Sequence, residues 1–379
     1  MASIKTFRIL VLPGDHVGPE IVAEAIKVLQ TIESCQPEFR FETTFDLAGG
    51  CSIDKHGVPI TPEVLDKAKA SDAVLFGSVG GPEWGHAEPN PESALLSLRH
   101  HLKAFANIRP CEFFVSSLID LSPIKRDIVA GTKFVVVREN CGGAYFGEKT
   151  ERKEYASDLW GYEAPEVKRL CRVSAAVARI LGRQDEGSGG PAVVWSSDKA
   201  NVLANSRLWR RVTSEVFASE FKDIELKHQL ADSMAMLMVR DPKHFNGVIH
   251  TDNTFGDILS DISGGILGTL GVLPSASVCG VPGEDVCNGI YEPVHGSAPD
   301  IAGKGIVNPV GQILSLAMLL RYSLGLLEEA TAIEKAVAKV MDSKAVGGLE
   351  IRTSDLGGKA STSDVGKAVC EVLRSILKC

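Results

Sequence analysis

The sequence contains no apolar run approaching the ~20 residues that span a bilayer, which excludes a helical membrane protein. Basic residues are in deficit. Lys and Arg number 40 against 48 Asp and Glu, giving a net charge of −8 over 379 residues. A broad nucleic-acid surface needs the opposite balance, so only a local basic pocket remains open. CxxC spacings are absent, and the nine cysteines are scattered. That excludes a zinc or disulfide framework and reads as reduced thiols in the cytosol. The start of the chain, MASIKTFRILVLPGDHVGPE, has no separate apolar stretch or small-residue cleavage site, so no secretory leader is expected. Repeats, low-complexity tracts and the GxGxxG fingerprint are also missing.

What is present is an ordinary globular composition, 44% hydrophobic and 23% charged, long enough for more than one core. Short apolar runs at 7–12, 72–81, 133–139, 192–197 and 246–252 have strand length. Between them, helical spacing appears at 19–32, 91–105, 166–181, 199–220, 228–239, 309–325 and 328–341. Strand, glycine turn and helix in repetition predict an α/β architecture with a largely parallel sheet. EGSGGP (186–191) reads as a short loop. The polar segment 147–166 reads as a surface loop or as an arm pairing with another subunit.

Several residues are candidates for chemistry. Asp257 and Asp261 in FGDILSD fall at i and i+4 on one helix face. Like charges there repel, and hard oxygen ligands suit Mg²⁺ or Mn²⁺. Two aspartates alone more often mark a solvated face, but Phe255, Ile258 and Leu259 beside them argue for a helix near the interior. Arg99, Arg109 and Arg138 are forks for carboxylates in apolar surroundings, and Arg138 ends a strand, where α/β folds place ligands. From an N-cap at Asn90, Glu92, Leu95, Leu96 and Arg99 share one helical face. That is a plain amphipathic helix or one wall of a pocket for an anion and an aliphatic group. Lys199 is expected at the start of a helix capped by Asp198, where the dipole favours its neutral form. Tyr145 stands among glycines in CGGAYFG. The long loop EPVHGSAPDIAGKGIVNP (292–309) carries His295, Asp300 and Asn308.

Taken in order, LPGDHVGPE, LLSLR with NIRP, VREN…GGAYFGE, KANVL, FGDILSD and EPVHGSAPDIAGKGIVNP resemble the β-hydroxyacid oxidative decarboxylases. These are the isopropylmalate, isocitrate, homoisocitrate and tartrate dehydrogenases. The resemblance runs from residue 7 to about 375. It implies the isopropylmalate/isocitrate dehydrogenase-like fold, two α/β domains with a cleft between them. One would be built from 1–104 with 268–379, the other from 105–267 with an arm near 147–166. It implies that Arg99, Arg109 and Arg138 clamp the malate carboxylates, and that Tyr145 and Lys199 form the acid–base pair. Asp257 and Asp261 would be metal ligands, with Asp232 a third from the partner subunit of a homodimer; Lys199 would also cross over. Val17, His295, Gly296, Ser297, Ala298, Asp300, Ile301 and Asn308 would hold the cofactor, Asp300 selecting NAD over NADP. Glu92, Leu95 and Leu96 match the isopropylmalate pattern. The implied reaction is oxidation and decarboxylation of 3-isopropylmalate, a step of leucine biosynthesis, with another 3-substituted malate as the alternative and a non-catalytic regulatory subunit as a remote one. Where the family continues its metal motif Asp-Glu-Ala, this chain has Asp261-Ile262-Ser263 and then two glycines, a departure beside the cofactor contacts and hinge that leaves room for a paralogue acting on a different 3-substituted malate.

Overall fold

A computed structural model describes residues 4–85, 88–184, 192–284 and 287–379. The predicted loop at 186–191 lies outside them. The strands are β1 (Lys5–Gly14), β2 (Phe39–Phe45), β3 (Ala73–Ser78), β4 (Ala106–Glu112), β5 (Lys133–Glu139), β6 (Lys149–Arg152), β7 (Tyr155–Asp158), β8 (Ala192–Asp198), β9 (Ile224–Leu230), β10 (Gly247–Thr251), β11 (Pro274–Val278) and β12 (Gly289–Pro293). The helices are α1 (Gly18–Cys35), α2 (Gly50–His56), α3 (Pro62–Ala70), α4 (Ser93–Leu102), α5 (Arg126–Val129), α6 (Ala164–Gln184), α7 (Ala204–Glu220), α8 (Ala231–Arg240), α9 (Asn253–Leu267), α10 (Val310–Tyr322), α11 (Leu327–Met341) and α12 (Thr362–Leu377).

Ten strands form one sheet in the order β2-β1-β3-β12-β11-β4-β5-β10-β8-β9. The outer pairs are parallel, as predicted. The three central junctions, β12–β11, β11–β4 and β4–β5, are antiparallel. Both faces are covered. Along β1, Ile9 and Val11 join the core under α1, α10 and α12, while Leu10 and Leu12 join the core under α3 and α4. Burial on both faces is why these strands read as continuous apolar runs. α10 is buried on every side and accordingly has no polar stripe. Gly14 (φ +74°) lets β1 pass β3, since a Cβ there would sit 2.0 Å from the Ser78 carbonyl oxygen.

Four expectations need correction. Helix 199–220 begins only at Ala204, because Asp198 holds the turn instead: it accepts from the Ala200 amide at 2.9 Å and from Arg210. Helix 228–239 begins at Ala231, its first residues belonging to β9. The segment 147–166 is no irregular loop, since β6 and β7 pair in it as an exposed antiparallel ribbon. The cysteines are not all reduced. An αL turn at Lys378 carries Cys379 back to Cys35, and the two are joined with Cα atoms 5.2 Å apart. The other seven are free.

Candidate functional site

The site gathers where β4, β5 and α9 meet. β4 and β5 pair with Asn107 opposite Arg138, so Arg109 and Arg138 leave the same face of neighbouring strands. Asp252 starts α9 by accepting the Phe255 amide at 2.8 Å. Burial pushes the Asp252 carboxyl up to about 7 despite that bond. α9 can approach β5 because residue 256 is glycine, where a Cβ would lie 2.5 Å from the Arg138 Cγ.

Each arginine is matched with a carboxylate. Arg138 donates through Nη1 to Asp257, and through Nε and Nη2 to the Asn253 carboxamide oxygen at 3.0 and 2.7 Å. Arg109 donates to Asn107 Oδ1 at 3.0 Å, to the Ser260 hydroxyl at 3.0 Å and to Asp261 at 3.2 Å. Arg99 donates to Glu292 at 2.9 Å. Burial lowers the Arg109 and Arg138 pKa values; repulsion from Arg99 adds to this for both, and Arg109 adds to it for Arg138. Arg109 and Arg138 thus meet at α9, and Arg99, held by Glu292, lies within electrostatic reach of both. The Tyr145 hydroxyl donates to Asp257 Oδ2 at 2.8 Å. Burial and the Asp257 carboxylate hold its pKa above the ordinary value, so it keeps its proton at neutral pH.

Asp257 and Asp261 therefore lie on one face of α9, as the spacing predicts. α9 runs on through Gly264 and Gly265 to a left-handed cap at Gly268, so the glycines after Ile262 do not break it. Lys199 and Asp232 are not brought to this cluster. They pair with each other at 2.7 Å, and Lys199, lying five residues before α7, has no helix dipole behind it. Among the described residues no group of three or more His, Cys, Asp or Glu assembles as a metal set. On α4, which starts at Ser93 after Asn90 accepts its amide at 3.0 Å, Glu92 and Leu96 are exposed. Leu95 instead packs partly into the core beneath α4.

The loop after β12 folds onto the first turn of α1. The Val17 amide donates to the Ser297 carbonyl at 3.1 Å, and Glu20 accepts the Gly303 and Gly305 amides at 2.5 and 3.2 Å. Ala298 takes a left-handed φ of +41°, and the Ile301 amide closes back on its carbonyl at 3.2 Å. Asn308 caps α10 through the Val310 amide and donates to Asp355. Burial lowers the His295 pKa, and its Nε2 is buried with no hydrogen-bond partner among the described residues. Beside it, Gly296 has open space where a Cβ would be, and Asp300 is exposed.

Sequence reasoning missed Asn107, Asn253 and Glu292, which orient the three arginines. It also missed Asp15, a buried carboxylate that accepts the Gly50, Cys51 and Gly80 amides at 2.8 to 2.9 Å. The available signals were Asn253 one turn before Asp257, and Asp15 inside LPGDHVG.

A ten-stranded α/β sheet with this cluster at its centre places the chain in a family. The model described as isocitrate/isopropylmalate dehydrogenase matches residues 8–369, and the chain belongs to that family. Among its relatives, the 3-isopropylmalate dehydrogenase of Hapsidospora chrysogena is 70% identical over 374 residues, 98% of each chain. That of Neurospora crassa is 52% identical over 378 residues, 98% of this chain and 99% of the other. Solved structures agree. A β-decarboxylating dehydrogenase from Thermococcus kodakarensis has a TM-score of 0.79 at 34% identity, covering 98% and 97% of the two chains. The isocitrate dehydrogenase from Methylococcus capsulatus has 0.78 at 30%, covering 97% and 99%.

Proposed function

We propose that the chain catalyses NAD-dependent oxidative decarboxylation of 3-isopropylmalate to 2-oxo-4-methylpentanoate, a step of leucine biosynthesis. The observation that carries this reading is the cluster of Arg109 and Arg138 on Asp261 and Asp257, with Tyr145 on Asp257 and Arg99 within electrostatic reach, in a chain 70% identical to a relative of that name. The arginines take the substrate carboxylates as charge-assisted pairs. Leu96 gives the alkyl group an apolar surface, and Glu92 repels a carboxylate in its place.

The donor set fits a divalent cation: Asp257 and Asp261 offer hard oxygens on one helix face, which suits Mg²⁺ or Mn²⁺. The loop 295–308 fits a dinucleotide, given the unpartnered His295 Nε2 and the open space at Gly296. Val17, Ser297, Ala298, Ile301 and Asn308 shape that cradle. Asp300 accepts ribose hydroxyls and repels a 2′-phosphate, favouring NAD over NADP. When bound, the cation supplies Lewis acidity and the dinucleotide accepts hydride. Tyr145, held protonated beside Asp257, gives a proton to C3 after carbon dioxide leaves.

Proton removal from the substrate hydroxyl falls to the partner subunit's Lys199, and a third carboxylate comes from the partner subunit's Asp232. Three exposed apolar side chains support a homodimer at this face. Val202 (63% exposed) stands beside Lys199, Met236 (58%) follows Asp232 on α8, and Ile258 (55%) follows Asp257. The ribbon β6–β7, with Tyr155 and Leu159 outward, fits an arm toward the same partner. The strand order supports two lobes, 1–104 with 268–379 and 105–267, parting between β11 and β4. A cytosolic location is the reading of the sequence, and the seven free thiols fit it while the joined Cys35 and Cys379 do not; no described helix is long and apolar enough to cross a membrane.

The test is NADH formation from purified protein with Mg²⁺ and either 3-isopropylmalate or isocitrate. Turnover of the first alone, faster with NAD than NADP, is expected. Equal turnover of isocitrate would overturn the roles of Glu92 and Leu96.

A further inference from the structure

The strands that carry Arg109 and Arg138 have a second face. Side chains alternate along a strand, so Pro110 on β4 and Val135 on β5 point away from α9. They floor a cavity of about 620 Å³ between α6 on one side and α10 and α11 on the other. That volume is in the range of small-molecule sites. Part of the lining is apolar, with Ile180 and Leu181 from α6 and Leu314 and Met318 from α10; charged side chains make up much of the rest.

Two ion pairs line the cavity. Buried Arg321 donates to both Glu334 oxygens at 2.5 and 2.7 Å, and Lys133 lies 3.8 Å from Glu112. Lys335, one residue beyond Glu334 on α11, is exposed at the mouth and has no ion-pair partner among the described residues. Among the described residues Lys335 is therefore the lining cation without an ion-pair partner, close to the apolar stretch between α6 and α10.

We propose that this cavity binds a small amphipathic monocarboxylate, its apolar body between α6 and α10 and its carboxylate on Lys335. The whole thickness of the sheet separates the site from the arginine cluster. A molecule there bridges α6 to α10 and α11, behind the two strands that hold the substrate arginines.

The probe is 4-phenylbutanoate, titrated calorimetrically into the full chain with and without saturating 3-isopropylmalate and Mg²⁺. Binding is expected in both cases. Lys335→Met should weaken it about tenfold, matching the neutral 4-phenylbutanamide on the unaltered chain. Leu181→Trp, which fills the slot from its wall, should abolish it. Both variants should keep their NADH turnover, since neither residue reaches the front face. No binding, displacement by the malate, or unchanged affinity in Lys335→Met would each overturn the assignment.

Discussion

Asn253→Ala tests whether the arginine cluster is preorganised by its neighbours. Asn253 is buried; its oxygen accepts two bonds from Arg138 and its nitrogen donates to the Gly142 carbonyl at 2.9 Å. A hydrogen bond to a charged group contributes about 1.5–3 kcal/mol. Arg138 keeps Asp257, so the loss should be near the lower end, about 2 kcal/mol of stability. The guanidinium would then be free to swing off the strand face where a substrate carboxylate docks. A loss of about 1.4 kcal/mol in ground-state binding is a tenfold rise in KM for the malate. Because Tyr145 and Asp257 remain paired, kcat should fall by less than about threefold. Steady-state kinetics at saturating NAD and Mg²⁺ reads both constants. Asn246→Ala is the control. That residue ties the far end of β5, accepting the Lys133 amide at 2.7 Å and donating to Gly131. It should cost stability without moving KM. A KM unchanged in Asn253→Ala, or moved equally in both variants, would refute the positioning argument.

The remaining predictions concern charge and packing. Arg109 and Arg138 are held by Asp261 and Asp257, so a cation on those carboxylates should release the guanidiniums and raise malate affinity at least about fivefold; titration calorimetry with and without Mg²⁺ checks it, and independent binding would contradict it. Gly256→Ala should cost at least tenfold in activity, because the added methyl meets Arg138, whereas Gly265→Ala meets nothing within 4 Å and should stabilise α9 by about 0.5–1 kcal/mol. Burial lowers the His250 pKa to about 3. The unfolded imidazole protonates near 6.5, so the unfolded state binds the extra proton and stability falls as pH drops below that value. The loss should be about 1.4 kcal/mol by pH ~5.5. Denaturant melts of the wild type and of His250→Gln should diverge over that window; parallel curves would sink the assignment.

Much of the fold was legible because the physics was local. β5 was read to the residue, since an apolar run between polar ends admits few alternatives. The face of α9 followed from helical spacing, and with it the placement of Asp257 and Asp261 on one side. On α4, by contrast, the buried face is Ala94, Leu98 and Leu102, and Leu95 leaves the face shared by Glu92 and Leu96. Elements failed where a side chain outbid the local pattern. The start of α7 was misplaced because Asp198 binds Arg210 and the turn in place of a helix amide. β9 is missed, its last residues falling in the expected helix, because its residues are largely half-buried and carry little alternation. The antiparallel centre of the sheet depends on contacts between distant segments, which no window of sequence contains. The site divided in the same way. Residue types and motif order pointed to the arginines, Tyr145 and the aspartates, but not to their mutual neutralisation, nor to Asn107, Asn253 and Glu292 behind them. The Cys35–Cys379 bond, spanning a separation of 344 residues, was invisible for the same reason.

The central claim is that the arginines, Tyr145 and aspartates of one chain act with Lys199 and Asp232 of another. Mixing two inactive variants measures it directly. Arg138→Met disables the cluster on its own chain, and Lys199→Met disables the residue lent to the neighbour. Unfolding and refolding an equal mixture should yield half heterodimers, each with one intact site, and so about a quarter of the wild-type NADH turnover. A mixture as inactive as its two components would contradict the shared site.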